Sequence, residues 1–153
     1  MTARSEQFPP LPEARQAIWS KFGKWDTVWF PKYLGLEVEE IRTDYARMRL
    51  GFRPEYRQPA GVMHGGVIAS MVDTVVVPAV GSGYDETRAL FTIDLQLRFL
   101  APIVDEDIVG EGWVVQRGRQ IVFCDAEVRG ATSNVLAGTA SLVYKVSSRP
   151  ANY

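Results

Sequence analysis

The sequence predicts an α+β fold in which an antiparallel sheet of about six strands wraps around one central apolar helix. Three observations predict this fold. One long stretch, residues 67–80, is apolar nearly all round, which is typical of a buried helix. Segments before and after it alternate apolar and polar residues, as half-buried strands do. Short turns containing Gly or Asn connect the later segments, which favours antiparallel neighbours.

Six segments carry the strand pattern, two before the apolar stretch and four after it. Their residues are 34–41, 44–52, 90–102, 107–116, 120–130 and 135–146. In LFTIDLQLRFLAP, the first segment after the helix, the alternation is regular. It predicts one face with Phe91, Ile93, Leu95, Leu97 and Phe99, and the opposite, polar face with Thr92, Asp94, Gln96 and Arg98.

The central apolar stretch carries conflicting local signals. Its run of β-branched residues forms helices poorly and would suit a buried strand. Its length and the stop at Gly81 and Gly83 favour a helix, which Pro78 can kink in its last turn. Gly65 and Gly66 leave backbone N–H groups unshielded where the helix begins. We therefore predict one buried helix.

The first 30 residues predict a helical arm. The segment PEARQAIWSKF, residues 12–22, has helical character, and Pro12 stands near its start. Its apolar residues Ile18, Trp19 and Phe22 lie on one side, and the aromatic residues Trp25, Trp29 and Phe30 follow closely. Such an arm packs over a core or forms a lid on an apolar ligand. We expect one domain over residues 1–153, with the arm at 1–30 and the core at 31–149.

Composition excludes several function classes. The 153 residues fit one domain, which buries roughly 70% of its unfolded surface. The formal net charge of -1 provides no general attraction to nucleic acid or to an acidic membrane. A membrane span is not expected, because His64, the Gly pair after it, Asp73 and Pro78 interrupt the stretch from Gly61 to Gly83. The N-terminal segment has no apolar h-region, so we expect a cytoplasmic protein without a secretory signal.

Cysteine and histidine are too few for the common metal sites. Cys124 is the only cysteine and His64 the only histidine. An internal disulfide and a cysteine-rich zinc site are therefore excluded. Any other metal site would need a cluster of carboxylates, and the sequence has no suitable one, so we expect no metal. Cys124 lies on a predicted strand and is expected to be a core thiol.

His64 and Asp73 stand nine positions apart, and Asp73 is the only charged residue between Arg57 and Asp85. Nine residues of helix advance about 13 Å and leave the two side chains roughly half a turn apart. Within one chain they should not touch. A buried carboxylate without partners is costly. Asp73 therefore bonds neighbouring backbone or Thr74, or it meets the His-Gly-Gly end of a second chain related by two-fold symmetry.

The pattern His-Gly-Gly, with an Asp nine residues after the His, resembles the hot-dog-fold acyl-CoA thioesterases of the phenylacetate-pathway type. These enzymes belong to the 4-hydroxybenzoyl-CoA thioesterase superfamily. The resemblance extends from about Leu34 to Val146 and includes the strand order. The segments LFTIDLQLRFLAPI and VVQRGRQIVF are similar to the family's strand after the central helix and to its next hairpin.

The resemblance implies a hot-dog fold and a site shared across a dimer interface, with dimers that often pair into tetramers. Asp73 matches the residue that attacks the thioester carbonyl or activates a water as general base. Gly65, with Gly66 nearby, matches the glycines whose backbone N–H groups stabilise the oxyanion at a helix N-terminus. The substrate implied is an acyl-CoA, and no metal or redox cofactor is implied.

Three more positions are carried over from the resemblance. His64 would orient the loop or the thioester, or would simply bond nearby backbone at the helix start. Gln58 stands where relatives often have an Asn that positions the water or the carbonyl; here the amide is kept on a longer side chain. Thr92 stands where relatives have a Ser or Thr that holds the water, although packing alone also explains a Thr in a strand.

The CoA phosphates need cations. Arg117 and Arg119 flank a turn glycine in QRGRQ, similar to the family's basic hairpin, and Arg98 is a further candidate. Each of these arginines is equally well explained as a solvated surface residue.

Two other functions remain open from the sequence. A non-catalytic acyl-CoA binding module would keep the pocket and lose the nucleophile, and the presence of Asp73 disfavours it. A hot-dog dehydratase or hydratase would pair a His with an acidic residue in a different helix-start motif, which is missing here. The acyl group itself and the choice between dimer and tetramer are not predicted.

Overall fold

The computed structural model describes residues 4–151. Their strands and helices follow the predicted order, with one further short helix before the first strand. The elements are α1 Glu13–Trp19, α2 Phe30–Leu34, β1 Leu36–Arg42, β2 Tyr45–Leu50, α3 Gly65–Gly81, β3 Arg88–Phe99, β4 Ile108–Arg117, β5 Ile121–Gly130 and β6 Leu136–Pro150, with 3-10 turns at Arg4–Gln7 and Pro54–Tyr56.

The six strands form one sheet in the order β1-β2-β4-β5-β6-β3, and every neighbouring pair is antiparallel. Helix α3 packs against β4, β2 and β5 on the inner face of this sheet. The predicted α+β fold, with a sheet around one apolar helix, is confirmed. Strands β1 and β3 are the two edges. Within residues 4–151, no helix has the length and hydrophobicity needed to cross a bilayer.

Helix α3 forms despite its β-branched residues because tertiary packing outweighs their low helix propensity. Its apolar side chains include Met71, Val75 and Val76, all fully buried. Two glycines of β4 bring the helix close to the sheet. A Cβ at Gly112 would lie 2.8 Å from Cγ1 of Val76, and one at Gly110 would lie 2.6 Å from Cγ of Met71. The helix axis is thereby held close to β4.

Strand β3 contains a β-bulge that the regular alternation did not predict. Thr92 pairs with Tyr144 of β6, whereas Asp94 pairs with Val143, so Ile93 is an extra residue. The bulge reverses the faces on its N-terminal side. Thr92 therefore points toward α3 and not to the outer, polar face with Asp94; that part of the prediction is wrong.

The same bulge corrects the predicted apolar face of β3. Leu95 and Leu97 pack against the core as expected. Phe91 and Ile93 are each 56% exposed, and Phe91 pairs with the exposed Lys145 on the outer face. The edge strand thus presents two large apolar side chains to its surroundings.

The N-terminal arm packs over the end of α3. The Trp19 ring lies so close to Gly81 that a Cβ there would come within 1.9 Å of the ring. Arg15 adds a 2.9 Å hydrogen bond to the carbonyl of Ser82 and a 2.7 Å ion pair with Asp85. Helix α1 ends at Trp19, earlier than predicted.

The outer face of the sheet is also partly covered by N-terminal residues. Tyr45 alternates along β2 with the inward-facing Ala46 and Met48 and so lies on the outer face, yet its side chain is fully buried. The Phe8 ring stacks on it at 5.2 Å between centroids, and its hydroxyl donates to Glu111. The cover of Tyr45 thus comes from a segment that is distant in the sequence.

Candidate active site

His64 caps the N-terminus of α3 with its side chain. The backbone N–H of Gly66 donates to Nδ1 of His64 over 2.8 Å, which makes His64 the N-cap residue. The expectation that Gly65 and Gly66 both offer free N–H groups is therefore corrected, since the amide of Gly66 is used within the cap. The N–H of Gly65 has no acceptor among residues 4–151. One backbone donor remains at the positive end of the helix dipole.

The loop before α3 holds this helix end in place. The N–H of His64 donates to the carbonyl of Tyr56 over 2.7 Å, and the N–H of Met63 donates to Ile103 over 2.8 Å. Tyr56 is buried, and its hydroxyl donates to the carbonyl of Leu34. These bonds link the His-Gly-Gly end to α2 and to the segment after β3.

An aromatic ring stands beside the free amide. A Cβ built on Gly65 would lie 3.0 Å from Cζ of Phe99, whose side chain is half-exposed at the end of β3. Glycine at position 65 therefore lets the ring and the backbone approach each other closely. The position of Phe99 along β3 marks where the N-terminus of α3 meets the edge strand.

Asp73 is half-buried in the middle of α3, and its carboxylate is held from one side. Oγ1 of Thr92 donates to Oδ1 of Asp73 over 2.7 Å, and the hydroxyl of Tyr144 lies 2.9 Å from the same oxygen. Oδ2 accepts no hydrogen bond from residues 4–151. The partners are residues of β3 and β6, not the neighbouring backbone or Thr74 that the sequence suggested.

Sequence reasoning missed Tyr144. Its hydroxyl lies 2.6 Å from the backbone carbonyl of Asp73 as well as 2.9 Å from the carboxylate. Burial raises the pKa of the Tyr144 phenol far above its usual range, and the charge of Asp73 raises it further, so the group remains a donor. One signal was available: the alternation of β6 places Tyr144 inward with Leu142 and Val146, and a buried Tyr hydroxyl usually has a partner.

Gln58 lies in the loop before α3 and is engaged locally. Its Oε1 accepts from the N–H of Ala60 over 3.2 Å, and its backbone carbonyl accepts from Gly61 over 2.9 Å. Gly61 has a φ of 82°, in the left-handed region that glycine tolerates. The side-chain oxygen thus stabilises the turn. The amide NH₂ donates no hydrogen bond within residues 4–151.

The structure does not bring His64 and Gly65 to Asp73 within one chain. Asp73 lies two turns along α3 from Gly65, about 12 Å along the helix axis. No hydrogen bond joins the two ends in residues 4–151. The half-turn argument from the sequence agrees with this arrangement.

Arg117 does not lie at a solvated hairpin tip. Its guanidinium pairs with Asp44, donates to the carbonyl of Val80 over 2.9 Å and lies 4.8 Å from the ring centre of Tyr84. These contacts place it at the C-terminal end of α3, where a cation interacts favourably with the helix dipole. The expectation that Arg117 faces the CoA phosphates is therefore corrected.

Arg98 and Arg119 are exposed and contact no charged group in the described part of the chain. They lie far apart. Arg119 is in the β4–β5 turn, two residues before Ile121, which is level with Lys145. Arg98 is level with Thr139. Six residues of strand separate these two levels, or about 20 Å. The three predicted arginines thus form no single cluster within one chain.

Other candidate groups are not at this site. Cys124 is buried, and burial raises its pKa to about 12, so it is a core thiol as expected. A cleft lined by the arm and β1, including Trp19, Phe22 and Val38, lies at the opposite edge of the sheet from β3. Within residues 4–151, His, Cys, Asp and Glu side chains form no group of three that could hold a metal ion.

Comparisons with known proteins agree with this fold and motif. The sequence model of the family described as the thioesterase superfamily matches residues 60–137, slightly more than half of the chain. A candidate esterase of Saccharolobus solfataricus is 29% identical over 105 residues, which are 69% of this chain and 69% of that protein. A candidate esterase of Mycobacterium tuberculosis is 27% identical over 127 residues, covering 81% of this chain and 91% of that protein.

Solved structures share the same fold at low sequence identity. The PaaI protein from the phenylacetic acid degradation operon of Escherichia coli superimposes with a TM-score of 0.80 and 16% identity, covering 92% of this chain and 98% of that one. A thioesterase from Haemophilus influenzae has a TM-score of 0.76 and 20% identity, covering 84% and 89%. The predicted hot-dog fold and family resemblance are confirmed: the chain belongs to the thioesterase superfamily and is a thioester hydrolase.

Proposed function

We propose that the protein hydrolyses an acyl-CoA thioester to the free acid and CoA, with Asp73 as nucleophile or general base. One observation carries the proposal. Oδ1 of Asp73 is engaged by Thr92 and Tyr144, whereas Oδ2 accepts no bond from the described residues. A half-buried carboxylate with one oxygen fixed and one free is suited to attack or to deprotonate a water.

Both chemical routes use the same groups. As a general base, Oδ2 takes a proton from water while the water oxygen attacks the carbonyl carbon; the tetrahedral intermediate then expels the thiolate, which takes up that proton. As a nucleophile, Oδ2 attacks directly, the thiolate leaves, and water hydrolyses the resulting mixed anhydride. In both routes the N–H of Gly65 donates to the developing oxyanion. Neither route uses a metal or a redox cofactor.

The proposed site is completed by a second copy of the chain. Strand β3 is a sheet edge with exposed Phe91 and Ile93, which favours pairing with another strand. Along β3, Thr92 marks the position of Asp73 and Phe99 marks that of Gly65. Antiparallel pairing of two such edges around residues 95 and 96 sets the level of Thr92 opposite the level of Phe99. Each Asp73 would then meet the Gly65 end of the other copy, in a dimer or a dimer of dimers.

His64 and Gln58 fit supporting roles in this site. When His64 is neutral and Nδ1 accepts from Gly66, the ring proton is on Nε2, which leaves one donor beside the oxyanion amide. The free NH₂ of Gln58 is a second donor in the same loop. Both groups would orient the thioester or the water and would not transfer the main proton.

For CoA we propose that Arg119 and Arg98 contact the phosphates, one from each copy. Changing Arg119 to Gln should raise KM for an acyl-CoA about 3- to 10-fold with little change in kcat, because a phosphate contact is equal in the ground and transition states. The same acyl group on N-acetylcysteamine has no phosphate and should show no change. Steady-state thiol release measures both substrates.

Arg117 provides the matched control for Arg119. Changing Arg117 to Gln removes the pair with Asp44 and the bond to Val80, so it should lower the melting temperature. An unchanged KM for acyl-CoA in the Arg119 variant, or an equal rise with the N-acetylcysteamine thioester, would contradict a phosphate contact.

Thiol release from short, long and aromatic acyl-CoAs tests the proposed function as a whole. We expect turnover with at least one class, and the panel also ranks the acyl groups. Binding of acyl-CoA by calorimetry without any thiol release would instead support the non-catalytic binding module. Hydration of an enoyl-CoA without thiol release would support the dehydratase or hydratase.

A further inference from the structure

We propose that Tyr144, together with Thr92, positions Asp73 by holding Oδ1 so that only Oδ2 reaches the substrate. This inference rests on the proposed function of Asp73. It assigns to the two hydroxyls one shared task, which is to decide the reacting oxygen of the carboxylate. Neither hydroxyl is required to touch the water or the thioester.

Two neighbouring strands supply the two hydroxyls at one level. Thr92 of β3 and Tyr144 of β6 are paired residues in the sheet register. The bulge at Ile93 turns Thr92 to the face that Tyr144 occupies; without the bulge, the continuing alternation would place Thr92 outward. Both side chains then point at the same turn of α3 and meet at Oδ1 of Asp73, at 2.7 Å and 2.9 Å.

Tyr144 links the side chain of Asp73 to its own backbone. The hydroxyl lies 2.6 Å from the carbonyl oxygen and 2.9 Å from Oδ1 of the same residue. A phenol has one proton, which these two acceptors share. Because both acceptors belong to Asp73, the contact restricts rotation of its side chain about χ1 and χ2. Thr92 occupies a second lone pair of Oδ1, and Oδ2 accepts no hydrogen bond from the described residues.

The position of Tyr144 makes it a rigid support. Its side chain is 1% exposed and packs in the core cluster with residues such as Leu142 and Val146. A buried ring cannot swing to another partner without opening a cavity. The high pKa of the phenol keeps its proton in place as a donor.

Tyr45 offers a control with matched chemistry. It is also a fully buried tyrosine whose hydroxyl donates to a carboxylate, in this case Glu111 on the outer face of the sheet. Changing either tyrosine to Phe removes one oxygen and one hydrogen bond to a carboxylate. A purely structural role for Tyr144 would make the two variants alike in their effects.

We expect Tyr144→Phe to lower kcat about 10- to 100-fold while KM changes less than about 2-fold, since the lost contact acts on the reacting carboxylate. Tyr45→Phe should lower the melting temperature by about as much as Tyr144→Phe does, but it should leave kcat unchanged. Thr92→Val should lower kcat as Tyr144→Phe does, and Thr92→Ser should retain most of the wild-type kcat. The double variant should lose less than the product of the two single losses if the hydroxyls act as one unit.

The outcomes separate this inference from the proposed function. If Asp73→Asn abolishes turnover while Tyr144→Phe and Thr92→Val keep wild-type kcat, the positioning role is overturned and the function of Asp73 stands. If Asp73→Asn is active, the proposed function fails first. If Tyr144→Phe does not fold, the comparison of Thr92→Val with Thr92→Ser decides: equal kcat values overturn the inference, and a loss in Val alone supports it.

Discussion

Replacing Asp73 by Asn is expected to reduce turnover of acyl-CoA at least about 100-fold. The amide can neither attack the thioester carbonyl nor deprotonate a water. The fold should stay intact. The Oδ1 atom of Asn can still accept from Thr92 and Tyr144, which are the two contacts of the native side chain. Thiol release and thermal melting, measured on the same sample, check both parts of this expectation.

Asp125 provides a matched control for the change at Asp73. Its Oδ1 accepts a 2.8 Å hydrogen bond from the hydroxyl of Ser141, between β5 and β6, so a carboxylate–hydroxyl pair exists away from the site. Asp125→Asn should keep wild-type turnover. Full activity of a folded Asp73→Asn sample free of wild-type enzyme would remove Asp73 from the mechanism.

Replacing Gly65 by Pro is expected to reduce kcat about 100- to 1,000-fold, the usual effect of losing one oxyanion-hole donor. Proline deletes the backbone N–H of residue 65 and adds a ring whose Cβ would lie 3.0 Å from Cζ of Phe99. Gly65 is the first residue of α3, a position where proline is well tolerated. The residue before it, His64, has φ -66° and ψ 134°, the extended conformation that precedes proline readily.

Gly65→Ala is the control for the proline variant, because alanine keeps the N–H and adds a Cβ in the same place. That Cβ would lie 3.0 Å from the half-exposed Phe99 ring, which can yield by a few tenths of an ångström. Gly65→Ala should therefore retain most of the activity. Equal losses in the two variants would indicate that the Phe99 contact, and not the amide, is responsible.

Mixed dimers extend the test to the shared site. Chains with Asp73→Asn and chains with Gly65→Pro are each expected to be nearly inactive. If each site takes Asp73 from one copy and Gly65 from the other, a mixed dimer contains one intact site, and activity should return on mixing. No recovery in a verified mixed dimer would place both groups of a site in the same chain.

Much of the fold was predictable because it depends on local pattern. The period of two identified six strands, and the apolar stretch of residues 67–80 identified the helix in spite of its β-branched residues. The glycines after His64 predicted where this helix begins, and Gly81 predicted where it ends. The short helix α2 was missed, since its five residues are too few for a periodic signal.

The candidate site was predictable in its residue types and less so in its contacts. Spacing and resemblance predicted His64, Gly65 and Asp73 as site residues. Asp73 accepts a hydrogen bond from Thr92, which was predicted for the same site. The interaction of His64 with Gly66 was one of two alternatives left open by the sequence. Tyr144 is 71 residues from Asp73 along the chain, so only the pairing of β3 with β6 brings it there.

The sequence by itself determined the six strands, the helix that carries Asp73 and the family, because periodicity and motif spacing are properties of neighbouring residues. Only the tertiary structure decided which faces and partners these residues have. One extra residue in β3 turned Thr92 toward Asp73, and folding of the β4–β5 hairpin against the end of α3 turned Arg117 away from solvent. A bulge and a long-range ion pair depend on the register of strands far apart in the chain, and no local pattern encodes that register.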